Sequence, residues 1–259
     1  MIIGVGVSGP QIVEGWYGQP WGSPNGRLRD YLAIMRKVIE REGPVTHDGP
    51  DIALPFDGAG AIGEGKPLKS ILHPAGEIEL WIASGGPMNT ALAGEVADGW
   101  LPMGYGPDGW SIHSANLQRG WDRRGGRPDD FDIMASVTIE ITDDVQAAID
   151  ARKPLTGMYV GGMGSADNNF HREAMARRGF PEAAERIHEL WLAGRKDQAI
   201  AAVPDDYIDA GGLYGPASRI AERWHDVVPA GLTGVILRTD HLNALEIAAD
   251  ITGSRETTQ

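Results

Sequence analysis

The chain lacks cysteine altogether, and that absence excludes disulfides, thiolate metal sites and cysteine nucleophiles. It is also short of cations. Its 23 Lys and Arg face 36 Asp and Glu, a formal net charge of −13. A protein that tracks phosphate backbones normally shows a basic patch. The nearest approach is Arg119 to Arg127, and Asp122, Asp129 and Asp130 dilute it, so no nucleic-acid partner is expected. No run of 18 apolar residues crosses a membrane, and no basic and apolar leader opens the sequence. The expected setting is therefore cytoplasmic, with no membrane partner. None of the seven histidines falls at a ligand spacing such as H-E-x-x-H, so no metal is expected. G-x-S-x-G and P-loop signatures are absent too.

What the sequence does have is alternation. Ile2 to Val7 reads as a buried strand, Gly9 to Gly26 as a long loop, and Arg27 to Arg41 as an amphipathic helix started by Ser23-Pro24. "VTHDGPDIAL" reads as a hairpin turning at Asp48-Gly49. Ile78 to Ser84 is the next strand, followed by a helix from Met88 to Ala97. A short strand at Gly99 to Gly104, a helix at Asp108 to Arg124 and a strand over "FDIMASVTIEIT" come next. "DDVQAAIDARK" starts a helix capped by Thr142 or Asp143. Broken helices fill Pro154 to Gly212, and the acidic "PDDYIDAGG" reads as a solvated turn. A helix at Pro216 to Val228, a strand at Gly234 to Thr239, a last helix and a frayed "GSRETTQ" close the chain. Strand and helix alternate five times, which predicts an α/β fold with a parallel sheet. A doubly wound sheet and a (β/α)8 barrel both fit this order; the length of 259 residues favours the barrel, but five strands cannot close one. The length is taken up by insertions at about 43–77 and 154–212 within a single domain, 1–259.

Two glycine clusters invite a ligand. Gly4-x-Gly6-x-x-Gly9 has the spacing of a dinucleotide fingerprint, which requires Gly9 to open a helix onto a pyrophosphate. Pro10, Gly15, Gly18, Pro20 and Gly22 follow instead, and Asp30, near the spacing of the ribose acid, lies inside a helix pattern. The alternatives are a close-packed strand, or a strand end whose Ser8 and Gly9 face a ligand. The second cluster is "IASGGPMNTALAGEVADGW". A strand ends at Ser84, Gly85 and Gly86 follow, and Pro87 takes the usual first helical position. Free N–H groups there suit a phosphate, although an ordinary strand-to-helix turn would look the same.

These segments resemble the luciferase-like monooxygenase superfamily, in its deazaflavin (coenzyme F420)-dependent oxidoreductase branch. The carrying residues are "GVGVSGPQIVEGWYGQPWG", "GKPLKSILHP", "ASGGPMNTALAGEVADGWLPMG", "TDDVQAAIDARKP", "YVGGMG" and "YGPAS", in family order over nearly the whole chain. The resemblance implies a TIM-barrel-type (β/α)8 fold in which Ile2 to Val7 matches the fourth strand. The first three βα units then have no counterpart here, and strands 4–8 remain. Catalytic residues stay unassigned, because related enzymes place them on those missing units. The resemblance implies hydride transfer between C5 of coenzyme F420 and a small-molecule substrate. An FMN-dependent monooxygenase is the alternative, and a non-catalytic flavin binder or inert remnant a second. The cofactor's phosphate would sit at Ser84, Gly85, Gly86, Met88 and Asn89, with Ser8 and Gly9 lining the cleft. Trp16, Tyr17 and Trp21 would wall a substrate pocket unless they only pack their loop. Tyr159 opens a glycine-rich segment, Tyr159 to Gly164, that reads either as a pocket loop or as a helix break needing φ > 0. A homo-oligomer is left open.

Overall fold

The computed structural model describes residues 1–165, 168–228 and 231–254. It divides into two compact units. One takes Met1–Leu101 with Asn116–Phe131, the other Pro102–Ala115 with the chain from Asp132 onward.

The first unit is built on a parallel strand pair. β1 (Ile2–Val5) lies beside β4 (Glu79–Ser84), in register from Ile2 opposite Glu79 to Val5 opposite Ile82. β5 (Gly99–Pro102) is the next neighbour of β4. Leu80, Trp81, Ile82 and Trp100 are at most 1% exposed and form the floor of this core. Helix α2 (Pro24–Glu40) begins where the sequence predicts, with Ser23 as cap and Pro24 at the first position. It buries Leu28 and Leu32 and packs on α3 (Pro87–Val96). Between α2 and β4 lies the expected hairpin, β2 (His47–Asp48) against β3 (Ala53–Leu54), but Asp48 pairs with Ala53 and the turn runs over 49–52 instead of sitting at Asp48-Gly49.

A buried carboxylate holds that hairpin. Asp30 of α2 accepts the N–H groups of Asp51 and Ile52 at 2.9 and 2.8 Å and meets His47 Nε2 at 3.1 Å. Burial pushes its pKa up. The two N–H groups and His47 together outweigh that and hold it below the usual carboxylate range. Asp30, which the glycine spacing offered as a ribose ligand, is thus occupied by its own chain.

Two expectations in this unit fail. β1 is not a buried strand: Ile2 and Gly4 are exposed and Ile3 and Val5 half-buried, because among the described residues β4 alone pairs with it. Gly9 caps a short helix, α1 (Pro10–Gly15), where a loop is predicted. Pro10 is responsible. A helix's first N–H has no intrahelical partner, so proline loses nothing there, and its φ is already helical. The helix stops after six residues, as glycines at 15, 18 and 22 favour.

The second unit centres on β6 (Asp132–Ile141), whose alternating Ile133, Ala135, Val137 and Ile139 are buried. Its C-terminal half pairs parallel with β7 (Gly212–Gly215), and its N-terminal half with β8 (Gly234–Arg238). Helices α10 (Ala217–Val227) and α11 (Leu242–Thr252) cover one core of Val137, Leu213, Ile220, Trp224 and Ala244. A second core, with Val160, Met175, Ile187 and Tyr214, lies among the excursion helices. These are α5 (Val145–Gly162), α6 (Phe170–Arg177), α7 (Pro181–Leu192), α8 (Lys196–Ala201) and α9 (Asp205–Asp209). Helix α4 (Gly109–Arg124) contributes its first half to this unit and its second half to the other.

Several details correct the sequence reading. Among the described residues the strand count outside the hairpin is six, not five, because β7, "GLYG", carries no β-branched residue to mark it. Asp144, not Thr142 or Asp143, caps α5, accepting Ala147 N–H at 2.9 Å. Thr142 Oγ1 instead takes the N–H of Asp144, at 3.0 Å. The same helix runs through Pro154, whose missing N–H leaves only the carbonyl of exposed Asp150 without a helical partner. "PDDYIDAGG" is not a solvated turn. It forms α9, buries Ile208, and sets Asp209 against Arg219 and Arg223 at 3.0 and 2.7 Å. Of the tail expected to fray, residues 255–259 lie outside the described ones, as do 166 and 167 of "GGMGSADNN".

Candidate functional site

Ser8 and Gly9 follow the carboxyl end of β1, and Ser84 closes its neighbour β4. The structure therefore brings the two predicted clusters to the same ends of a paired set of parallel strands. In barrels and open α/β sheets that is the end where ligands bind. Ser84 is buried, and its Oγ accepts the indole N–H of Trp100 at 2.8 Å. Gly86 caps α3 in an extended conformation, φ −88° and ψ 153°, and no side chain caps the helix. A Cβ built on Gly86 would meet no atom within 4 Å, so the turn opens onto free space. Pro87 follows, and the N–H groups of Met88 and Asn89 belong to the first turn, which has no intrahelical acceptor for them. Met88 is 73% exposed, Asn89 half-buried. One turn in, the Thr90 hydroxyl is fully buried and has no hydrogen-bond partner among the described residues.

Ser8 itself holds φ at 60°, the left-handed region that a residue with a Cβ enters at a cost of about 1–2 kcal/mol. The proposed pocket aromatics are less gathered. Trp16 and Tyr17 are 77% and 70% exposed. Trp21 is half-buried, its N–H on Glu14 and its carbonyl on Arg27 Nη2 at 2.5 Å.

Tyr159 belongs to the other unit and lines a cavity of about 410 Å³ there. Its ring lies 4.6 Å from that of His171, whose pKa burial lowers. Tyr105 stacks with His113 at 6.4 Å. Burial pushes the Tyr105 phenol up to about 12 and His113 down to about 4, the latter with help from Arg177. Both rings are thus neutral at pH 7. Arg152, Arg178 and Arg238 also reach this cavity. The sequence reading missed them, and no spacing ties residues 26 and 60 positions apart. The segment Tyr159–Gly164 settles differently from either of its readings. Tyr159 to Gly162 complete α5, and Gly161 lacks a side chain because its Cβ would meet Trp191 Cβ at 2.6 Å.

The family model of luciferase-like monooxygenases matches residues 1–234. The chain belongs to that family. A provisionally named coenzyme F420-dependent oxidoreductase of Mycobacterium tuberculosis is 40% identical over 239 residues, which are 91% of this chain and 69% of that protein. The 5,10-methylenetetrahydromethanopterin reductase of Archaeoglobus fulgidus is 24% identical, over 91% of this chain and 66% of its own. This luciferase-like chain thus spans about two thirds of the length of such relatives. Among solved structures, the coenzyme F420-dependent tetrahydromethanopterin reductase of Methanopyrus kandleri superposes with a TM-score of 0.69. It covers 95% of this chain and 72% of its own at 24% identity. An F420-dependent secondary alcohol dehydrogenase with an F420–acetone adduct gives 0.68, over 98% and 69%, at 16% identity. These matches establish the α/β, TIM-barrel-type fold of the family. Among the described residues no helix is long and apolar enough to cross a membrane, and no cluster of His and acids could hold a metal.

Proposed function

We propose that this luciferase-like chain is a coenzyme F420-dependent oxidoreductase, and that Ser84, Gly85, Gly86, Met88 and Asn89 hold the cofactor's phosphate. The observation that carries this reading is the uncapped start of α3. An open glycine turn there leads into main-chain donors at a strand's carboxyl end. The residues fit a phosphate. Gly86 leaves the space a Cβ would fill, and the Trp100 indole fixes the Ser84 hydroxyl as an acceptor whose own proton is free to donate. The names of the relatives decide for the deazaflavin over FMN, whose phosphate the same turn would suit. When bound, the deazaflavin supplies hydride transfer at C5 to or from a small organic substrate. The protein's part is to place it, through the α3 dipole and main-chain N–H groups, and to shield the reacting face from water. Ser8, strained at the adjacent strand end, lines the same cleft.

Fluorescence titration with F420 and with FMN, followed by the loss of deazaflavin absorption on adding a reductant substrate, tests the reading. Saturable F420 binding at least tenfold tighter than FMN binding is expected. Tighter FMN binding would establish the monooxygenase alternative. Binding of neither would leave the inert homologue.

A further inference from the structure

The acidic character of this chain stops at the cavity of its second unit. Among the described residues that line it there are three arginines and no Asp or Glu, in a chain whose acids outnumber its Lys and Arg 36 to 23. Arg152 is answered from its flank, by Glu140 at 2.8 Å. Arg178 and Arg238 have no carboxylate partner among the described residues. The Arg178 guanidinium lies 4.3 Å over the ring of Tyr207. It also presses on Gly106, where a Cβ would come within 2.5 Å of Nη2. The group is therefore clamped between a ring and a bare stretch of backbone, with donors left over. Arg238 is the last residue of β8, at the carboxyl end, and its side chain is exposed.

We propose that this cavity receives the anionic group, a carboxylate or phosphate, of an organic substrate, with Arg178 and Arg238 as the residues that select it. The assignment to a substrate rests on the oxidoreductase reading above. Guanidinium is charged at every accessible pH and offers paired N–H donors that match the spacing of carboxylate and phosphate oxygens. A clamped guanidinium loses little freedom on pairing, so its charge goes into selection. Leu155, Val160 and Ile208 also line the cavity and give an apolar body a place to rest. A neutral substrate would leave two guanidiniums facing one cavity unanswered.

The test is calorimetric titration of the folded chain with benzoate, phenyl phosphate and neutral benzyl alcohol, with and without saturating F420. Both anions should bind at least about tenfold tighter than the alcohol, since charge-assisted hydrogen bonds are worth that much or more. Arg178→Gln and Arg238→Gln should each cost the anions about tenfold and leave the alcohol within twofold. F420 should not displace them. Equal affinity for benzyl alcohol, or no loss in Arg238→Gln, overturns the proposal. Arg238 is exposed, so that variant decides even if Arg178→Gln does not fold. Displacement by F420 would give the cavity to the cofactor's own anionic tail and overturn the substrate assignment. Arginine-dependent anion binding in a chain that does not bind F420 would break the oxidoreductase reading, and the substrate assignment with it. F420 binding without arginine dependence would break this inference alone.

Discussion

The strand-end turn of the first unit and the cavity of the second are anion-seeking in different ways. The turn is made of backbone. Ser84 to Asn89 are consecutive, glycine supplies the space, and the charge is the partial charge of a helix start. The cavity is made of side chains. Tyr105, Arg152, Tyr159, Arg178 and Arg238 come from four segments, α5 supplying two of them, spread over more than half of the chain, and the charge is formal. A backbone site writes itself into a short stretch of sequence. A side-chain site is spread by the fold and leaves no local trace.

The largest expected effect separates the two. Trp100 is fully buried and donates to Ser84. Trp100→Ala should cost about 3–5 kcal/mol, read by denaturant unfolding of the first unit. The arginine dependence of anion binding in the second unit should persist wherever the variant stays folded.

The next effect belongs to His113, which stacks on Tyr105 of the cavity wall. Burial, helped by Arg177, holds His113 down to about 4, whereas an unfolded imidazole takes its proton near 6.5. The folded group has the lower pKa. Its contribution is therefore complete above about pH 6.5 and disappears as pH falls toward 4, by up to about 3 kcal/mol. Subtracting the pH-stability curve of His113→Phe from that of the native chain should isolate this slope. Parallel curves would mean that the imidazole is solvated.

Ser8 gives a smaller and opposite change. Its φ of 60° costs nothing for glycine, so Ser8→Gly should raise stability by about 1 kcal/mol. If the hydroxyl lines the cofactor cleft, F420 affinity falls in the same variant. A gain in both would make the strain unconnected with the site. Smallest of all is Lys153→Met. Lys153 bridges Asp150 at 2.7 Å and Asp205 at 2.5 Å, but both acids are exposed. The loss should stay below about 1 kcal/mol in thermal unfolding.

These contrasts explain what was legible. The hairpin, the start of α2 and the glycine turn could be read because proline, serine and glycine act on their immediate neighbours. Strand β7 could not. Its four residues owe their place to pairing with Thr138–Ile141, more than 70 positions earlier, and not to their own propensity. Helix α9 was hidden for the same kind of reason. Its acids look solvated until the fold brings Arg219 and Arg223 to Asp209. Gly161 and Gly162 stand out in the sequence, but their purpose, room for Trp191, lies on another helix.

The most direct test of the central claim is F420 titration of Gly86→Val beside the native chain, with thermal unfolding of both. A valine there meets no protein atom at its Cβ and keeps an allowed backbone, so stability should fall by no more than about 1 kcal/mol. F420 affinity should nonetheless drop by at least about tenfold, because the side chain fills the space the phosphate needs. A folded Gly86→Val that binds F420 as tightly as the native chain would contradict it.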